Sequence, residues 1–222
     1  MIFTNVSRLG DFLLLWPVAS WYYKETGDKI HWVLSDNFTL YHKIEKMLMM
    51  QEMTKKVSYV NVGTNAGDIN DWKFNPSDFG ISGDYYNFGF FSHPAEYMPN
   101  FYAKEYGLGV DYKFIVNLGD EGDYKNKDKY NVWIDSSPYR EEKGKLEKYV
   151  PDGSIELKSD FLSDAKLSKY ASDVYCTMGG FTVLMDLCNV KCKIFAPASL
   201  IYSSIKNEEH MYYRNDHEYF EL

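Results

Sequence analysis

Apolar residues run through this chain in two alternating rhythms. Ile2 to Val6, with Ile2, Phe3 and Val6 apolar, reads as a short strand. It breaks at Ser7-Arg8-Leu9-Gly10, and the nearly all-apolar stretch Phe12 to Tyr23 then predicts a helix packed on a sheet. Thr26-Gly27-Asp28 turns the chain into a second strand, Ile30 to Leu34, completing a strand–helix–strand unit. Asn37 predicts an N-cap, and Phe38, Leu40, Tyr41, Ile44, Met47 and Leu48 recur at helical spacing before a third strand at Val57 to Val62. Residues 63–94 lose this periodicity and mix glycines with Trp72, Phe74, Phe79, Tyr85, Tyr86, Phe88, Phe90 and Phe91, which predicts a long aromatic loop. Its rings suit sugar stacking or a homodimer contact. Pro99 opens a helix over Asn100 to Tyr106 with Gly107 as its cap, and Lys113 to Leu118 reads as a strand.

The pattern restarts after a charged stretch. Residues 120–130 lack apolar anchors and read as a linker between a domain at 1–119 and a second at 131–222. The second half alternates in the same way: strand Asn131 to Asp135, strand Ser154 to Leu157, helix Ser163 to Tyr170, strand Val174 to Thr177, helix Phe181 to Cys188, strand Lys193 to Pro197 and a last helix near Leu200 to Lys206. The aromatic and charged tail, Glu208 to Leu222, is expected to cross back onto the first half. Strands alternating with helices in both halves define an α/β protein with two doubly wound layers.

Composition narrows the partners. A chain of 222 residues with 45% hydrophobic content can bury a core in two small domains. The balance of 24 basic against 32 acidic residues, a net −8, opposes a polyanion, so no nucleic acid partner is expected. The 20 tyrosines, with abundant Asn and Lys, fit AT-rich coding and a phage or AT-rich bacterial origin. Cys176, Cys188 and Cys192 are odd in number and lie in or beside apolar runs, so they read as buried reduced thiols. With no zinc-finger spacing and no clear His/carboxylate cluster, no metal is assigned. No run reaches membrane-spanning length, and a cytoplasmic location is expected.

Two turns carry the candidate chemistry. In the first, Arg8 offers a fixed cation, Gly10 close backbone approach, and Asp11 a carboxylate at a helix start. Read alone, Asp11 is equally a favourable first-turn acid. In the second, Met178-Gly179-Gly180-Phe181-Thr182 places amides and a hydroxyl between strand and helix, a common phosphate device that alone is weak turn chemistry. Ser136, Ser137 and Arg140, with Lys143, follow a strand end and could reach phosphate or form a solvated turn. No dinucleotide-type G-x-G-x-x-G follows a strand, and no G-x-S-x-G is present. The five histidines, His31, His42, His93, His210 and His217, are scattered and read as structural.

Ser7-Arg8-Leu9-Gly10-Asp11-Phe12-Leu13-Leu14-Leu15-Trp16-Pro17 resembles the N-terminal motif of the heptosyltransferase-like glycosyltransferases, and Leu167 to Pro197 resembles their C-terminal nucleotide-binding unit. Where that family usually has a His after the glycine turn, this chain has Thr182-Val183-Leu184. The resemblance implies a GT-B fold, reduced in size: two Rossmann-like domains facing across a cleft, with the acceptor on the first and the nucleotide on the second. It implies Asp11 as general base, with Arg8, Gly10, Ser136, Ser137, Arg140, Met178, Gly179, Gly180 and Thr182 on the donor or its phosphates. The implied reaction is metal-independent transfer from a nucleotide-diphosphate sugar to a glycan or other hydroxyl acceptor, the donor being substrate and no cofactor being needed. A non-catalytic nucleotide or nucleotide-sugar binding or scaffold protein on the same fold is the alternative, and a sugar-nucleotide epimerase a further one.

Overall fold

A computed structural model describes the chain except residues 7, 37–39, 63–73, 90–96, 126–128, 136–143, 159, 200 and 202–212. It divides into two compact units, Met1–Pro94 with Met98–Phe114 and Ile115–Leu222 with Ala95–Tyr97. Each holds a parallel sheet.

The first unit runs β1 (Ile2–Asn5), α1 (Leu9–Leu13), α2 (Trp16–Thr26), β2 (Ile30–Ser35), α3 (Leu40–Met49), β3 (Thr54–Val60), β4 (Tyr85–Phe88) and α4 (Met98–Tyr106). The strands lie in the order β3-β2-β1-β4, with β1 parallel to β2 on one side and to β4 on the other. All four residues of β1 are buried, as a central parallel strand requires. Phe3 meets the rings of Tyr22, Trp32, Tyr86 and Phe88 at 5.0–5.6 Å. Ile2 joins Val33 and Val60 in a separate cluster. The end of β1 is tied on both flanks: Asn5 Nδ2 donates to the Phe88 carbonyl at 2.7 Å, and Tyr41 donates to Asn5 Oδ1 at 2.9 Å.

The expected Phe12–Tyr23 helix is two helices, and the first begins earlier, at Leu9. Pro17 accounts for the break. It brings no N–H, and its ring would strike the carbonyl four residues back, on Leu13, where α1 ends. Gly10 consequently lies within the first turn of α1 rather than in a loop before it. Further along, Gly109 packs against Trp21 so closely that an added Cβ would sit 2.5 Å from the indole. Gly107-Leu108-Gly109 is therefore packing beside α4, whose end Gly107 closes at φ 65°.

The second unit contains β5 (Asn131–Ile134), β6 (Ile155–Glu156), α5 (Phe161–Lys169), β7 (Asp173–Thr177), α6 (Gly180–Leu187), β8 (Lys193–Ala196) and β9 (Glu218–Glu221). Its order is β6-β5-β7-β8-β9, again parallel throughout. Val132, Ile134, Val174, Cys176 and Ile194 are buried, and Leu146, Tyr175 and Phe195 form a distinct cluster.

Several expectations change. Lys113 to Leu118 are described and form no strand. The start of the expected linker is held down: Glu121 takes Lys169 at 2.9 Å and the Tyr170 hydroxyl, and Lys166 donates to the Asp120 carbonyl at 2.6 Å. Within the tail, Glu218–Glu221 pairs with β8 as an edge strand. Within the aromatic segment, Tyr85–Phe88 is a strand; Phe88 is fully buried and packs on Phe3, Tyr102 and Tyr106. Phe79 and Tyr85 are exposed. Asn37, Trp72, Phe90, Phe91 and most of the last helix lie outside the described residues.

Phe88→Ala is expected to destabilise the first unit by about 3–5 kcal/mol, seen as a lower urea midpoint at unchanged slope.

Candidate active site

In an open parallel sheet the loops leaving the strands at their carboxyl ends diverge where the strand order reverses, and ligands bind in the resulting crevice. In the first unit that reversal falls at β1, between β2 and β4. The loop leaving β1 enters α1, which carries Asp11. In the second unit it falls between β5 and β7, and the loop leaving β7 is the Met178-Gly179-Gly180 turn. Each candidate turn thus occupies the switch point of its own sheet.

Asp11 is 7% exposed. Burial pushes its carboxyl up from 3.8 to about 7, against the pull of the Arg8 charge and of a hydrogen bond from the Arg8 backbone. Burial wins because Arg8 is exposed, and water weakens the attraction of a solvated guanidinium. Neighbouring side chains fix the helix that carries it: Phe12 contacts Trp16, Trp32 and Tyr41 at 5.1–6.1 Å. Asp11 is therefore a buried carboxyl held at a sheet's switch point with a titration range near neutrality, the condition for a general base.

The second turn is capped unequally. The N-cap, Gly179, offers no side chain to the first-turn amides of α6. Met178 is not among the free donors, because its N–H is spent on the Phe195 carbonyl at 3.2 Å. Thr182 is also removed from the expected ligand set. It is fully buried, and its hydroxyl donates to the Thr177 carbonyl at 3.0 Å, so it braces the turn from behind. Gly179 and Gly180 are half-buried. Across the switch point, Asp135 accepts the Gly144 N–H at 2.6 Å and the Thr177 hydroxyl at 3.4 Å. Ser136, Ser137, Arg140 and Lys143 lie outside the described residues.

Asp186, in α6, did not stand out in the sequence, although one acid inside Phe181-Thr182-Val183-Leu184-Met185-Asp186-Leu187 signals a buried charge with partners. Its carboxylate accepts the backbone N–H groups of Arg214 and Asn215 at 2.9 and 2.8 Å, Asn215 Nδ2 at 2.9 Å, Arg214 Nε at 3.3 Å and His217 Nε2 at 3.2 Å. Burial would raise its pKa, but these hydrogen bonds and charges hold it below 3.8. His217 Nδ1 accepts the Cys192 N–H at 3.0 Å, which assigns the ring proton to Nε2, facing Asp186. Of the other histidines, His31 bonds Ser58 at 2.8 Å, and His42 pairs with Asp36 at 2.8 Å while lying over Tyr59. His93 and His210 lie outside the described residues. Among the described residues, no three His, Cys, Asp or Glu side chains gather as a metal ion would need, and no helix is long and apolar enough to cross a membrane.

Comparison with known proteins defines the class of fold. No protein-family model matches the sequence, and no curated protein matches it. Solved structures do. The whole chain aligns with a glycosyl transferase family 9 structure from Veillonella parvula DSM 2008, at TM-score 0.62 and 9% identity over 84% of that chain. It aligns equally completely with the E. coli heptosyltransferase WaaC, at TM-score 0.53 and 11% identity over 90% of that chain. A third match is the iron-containing dodecameric glycosyltransferase TibC from enterotoxigenic E. coli H10407, at TM-score 0.55 and 11% identity, of which the chain spans 61%. The fold is that of the heptosyltransferase-like, GT-B-type glycosyltransferases.

Linkage fixes how Asp11 affects stability. Between 3.8 and about 7 the folded state keeps a proton that the unfolded state has lost. Stability therefore falls as pH rises through that window, by up to about 4 kcal/mol. Asp11→Asn is expected to match the wild type at about pH 4 and to melt higher at about pH 8, as read by thermal denaturation.

Proposed function

We propose that the chain is a glycosyltransferase that moves a sugar from a nucleoside-diphosphate sugar to a hydroxyl acceptor without a metal ion. The observation that carries this reading is Asp11: a buried carboxyl titrating near neutrality, at the switch point of a sheet whose fold is that of glycosyltransferases. The E. coli heptosyltransferase structure was solved with ADP, which supports a nucleoside diphosphate as the leaving group.

In the proposed step the ionised Asp11 takes the acceptor hydroxyl's proton as that oxygen attacks the anomeric carbon. The bond from that carbon to the diphosphate oxygen breaks, and its electron pair leaves on the diphosphate. The first-turn amides of α6, from Gly180 onward, have no side-chain cap and suit a diphosphate as hydrogen-bond donors. Burial serves the chemistry: it strengthens Asp11 as a base, and the site prefers the neutral acid that the step creates. Arg8, exposed beside Asp11, supplies a cation for an anionic substrate group.

Purified protein screened against UDP-, ADP- and GDP-sugars is expected to release the nucleoside diphosphate from one of them. Asp11→Ala should slow transfer by roughly 10²–10⁴-fold. Because the base must be ionised, kcat/KM should climb with pH and level off above about 7. Equal rates for wild type and Asp11→Ala would overturn the role of Asp11. Tight nucleotide binding without turnover would identify a capture protein instead.

A further inference from the structure

Because the first sheet is parallel, β2 and β3 end at the same edge as β1, whose departing loop leads to Asp11. A pair of stacked rings stands at that edge. Asp36 follows the last residue of β2, and its N–H donates to the Val60 carbonyl at 2.9 Å, which places it at the end of β3 as well. Its carboxylate accepts His42 Nε2 at 2.8 Å. His42, in the first turn of α3, lies over Tyr59 with ring centroids 3.9 Å apart and planes 30° from parallel. The Tyr59 hydroxyl donates in turn to Glu45 Oε2 at 3.0 Å, and Glu45 lies one turn along α3 from His42.

The helix that carries His42 is locked to the helix that carries Asp11. Tyr41, next to His42, is fully buried, packs on Phe12 at 5.1 Å and donates to Asn5 Oδ1 at the end of β1. Phe12 is the neighbour of Asp11. The ring pair and the candidate base thus share one packed framework.

Exposure separates this pair from the aromatic packing beneath it. Tyr59 covers one face of the imidazole, yet the His42 side chain is 45% exposed and that of Asp36 54%. An ion pair this exposed adds little stability. What it presents outward is a flat ring flanked by two carboxylates, each with one oxygen engaged by the pair. A pyranose matches that combination, since its C–H face lies on the electron-rich face of a ring and its hydroxyls donate to carboxylates. A serine hydroxyl or a simple alcohol brings no such face.

We propose that His42, stacked on Tyr59 and flanked by Asp36 and Glu45, binds a sugar ring of the acceptor, which makes the acceptor a glycan. This rests on the glycosyltransferase reading with Asp11 as base.

Saturation-transfer NMR with methyl glucoside, methyl galactoside and maltotriose reads binding without a donor, and glycerol and a serine-containing peptide serve as hydroxyl compounds without a sugar ring. Transfer assays on the same compounds read KM and kcat. His42→Phe keeps a flat ring and loses the bond to Asp36, whereas His42→Lys keeps a donor and loses the ring. Met49→Ala, at the exposed last residue of α3, controls for disturbance of the helix. The wild type is expected to bind at least one of the glycosides, and neither glycerol nor the peptide. His42→Ala and His42→Lys should weaken that binding roughly tenfold and raise the acceptor KM rather than lower kcat, while His42→Phe and Met49→Ala stay within about twofold of the wild type. No glycoside bound by the wild type, equal binding in wild type and His42→Ala, or a loss in His42→Phe as large as in His42→Lys would overturn the role of the ring. Transfer to glycerol or the peptide alone would overturn it and leave the transferase reading standing. Glycosides bound through His42 by a protein that releases no nucleoside diphosphate from any sugar nucleotide would overturn the transferase reading and the acceptor role with it.

Discussion

Because every described strand pair in both sheets is parallel, no strand can be joined to its neighbour by a tight turn, and the chain must return across a face of the sheet each time. That constraint gathers the departing loops at one edge of each sheet. It also buries the central strands on both faces, and every residue of β1 and β2 is buried. The order reverses once in each sheet, beside β1 and between β5 and β7, and there the two departing loops separate. Asp11 and the glycine turn are where they are because of this topology. Packing then fixes them: Phe12 against Trp32 and Tyr41 in the first unit, Thr182 against Thr177 in the second.

Two buried aspartates are shifted in opposite directions. Asp186 is fully buried yet held below the ordinary carboxylate value, because two backbone N–H groups, an amide, a guanidinium and an imidazole converge on it. Asp11 has almost the same burial and is shifted the opposite way, to about 7. Among the described residues, one backbone donor and a solvated Arg8 offset it. The difference is the supply of donors, since burial penalises both charges alike. A carboxylate whose charge is satisfied staples elements together. One left undersupplied stores a cost that catalysis can use.

The rhythm of apolar residues made most strands and helices legible, because parallel strands are continuous and their covering helices amphipathic or apolar. Misreadings arose where packing overrode local pattern. Tyr85-Tyr86-Asn87-Phe88 carries glycines on both sides and no alternation, and it is a strand because β1 offers an open edge and Phe3 a face for Phe88. Lys113 to Leu118 alternates like a strand but has no neighbour to pair with among the described residues. Pro17 was visible, yet a wholly apolar helix masked the break it imposes. At the candidate site, Asp11 and the glycine turn were legible by residue type and order. The inward turn of Thr182, the spent amide of Met178 and the clasp on Asp186 were not, since each depends on a partner far along the chain.

At 9–11% identity, what this chain shares with the glycosyltransferase structures is arrangement more than residues. Parallel cores tolerate that degree of exchange when size and pattern are kept. A site built from side chains would not. On the proposed reading, the second turn meets its ligand chiefly through backbone amides, and any residue supplies those. Thr182 faces inward and braces the strand–helix junction. On the proposed reading Asp11 has no such freedom, because proton transfer needs a titrating group at one place, and no backbone atom can replace it.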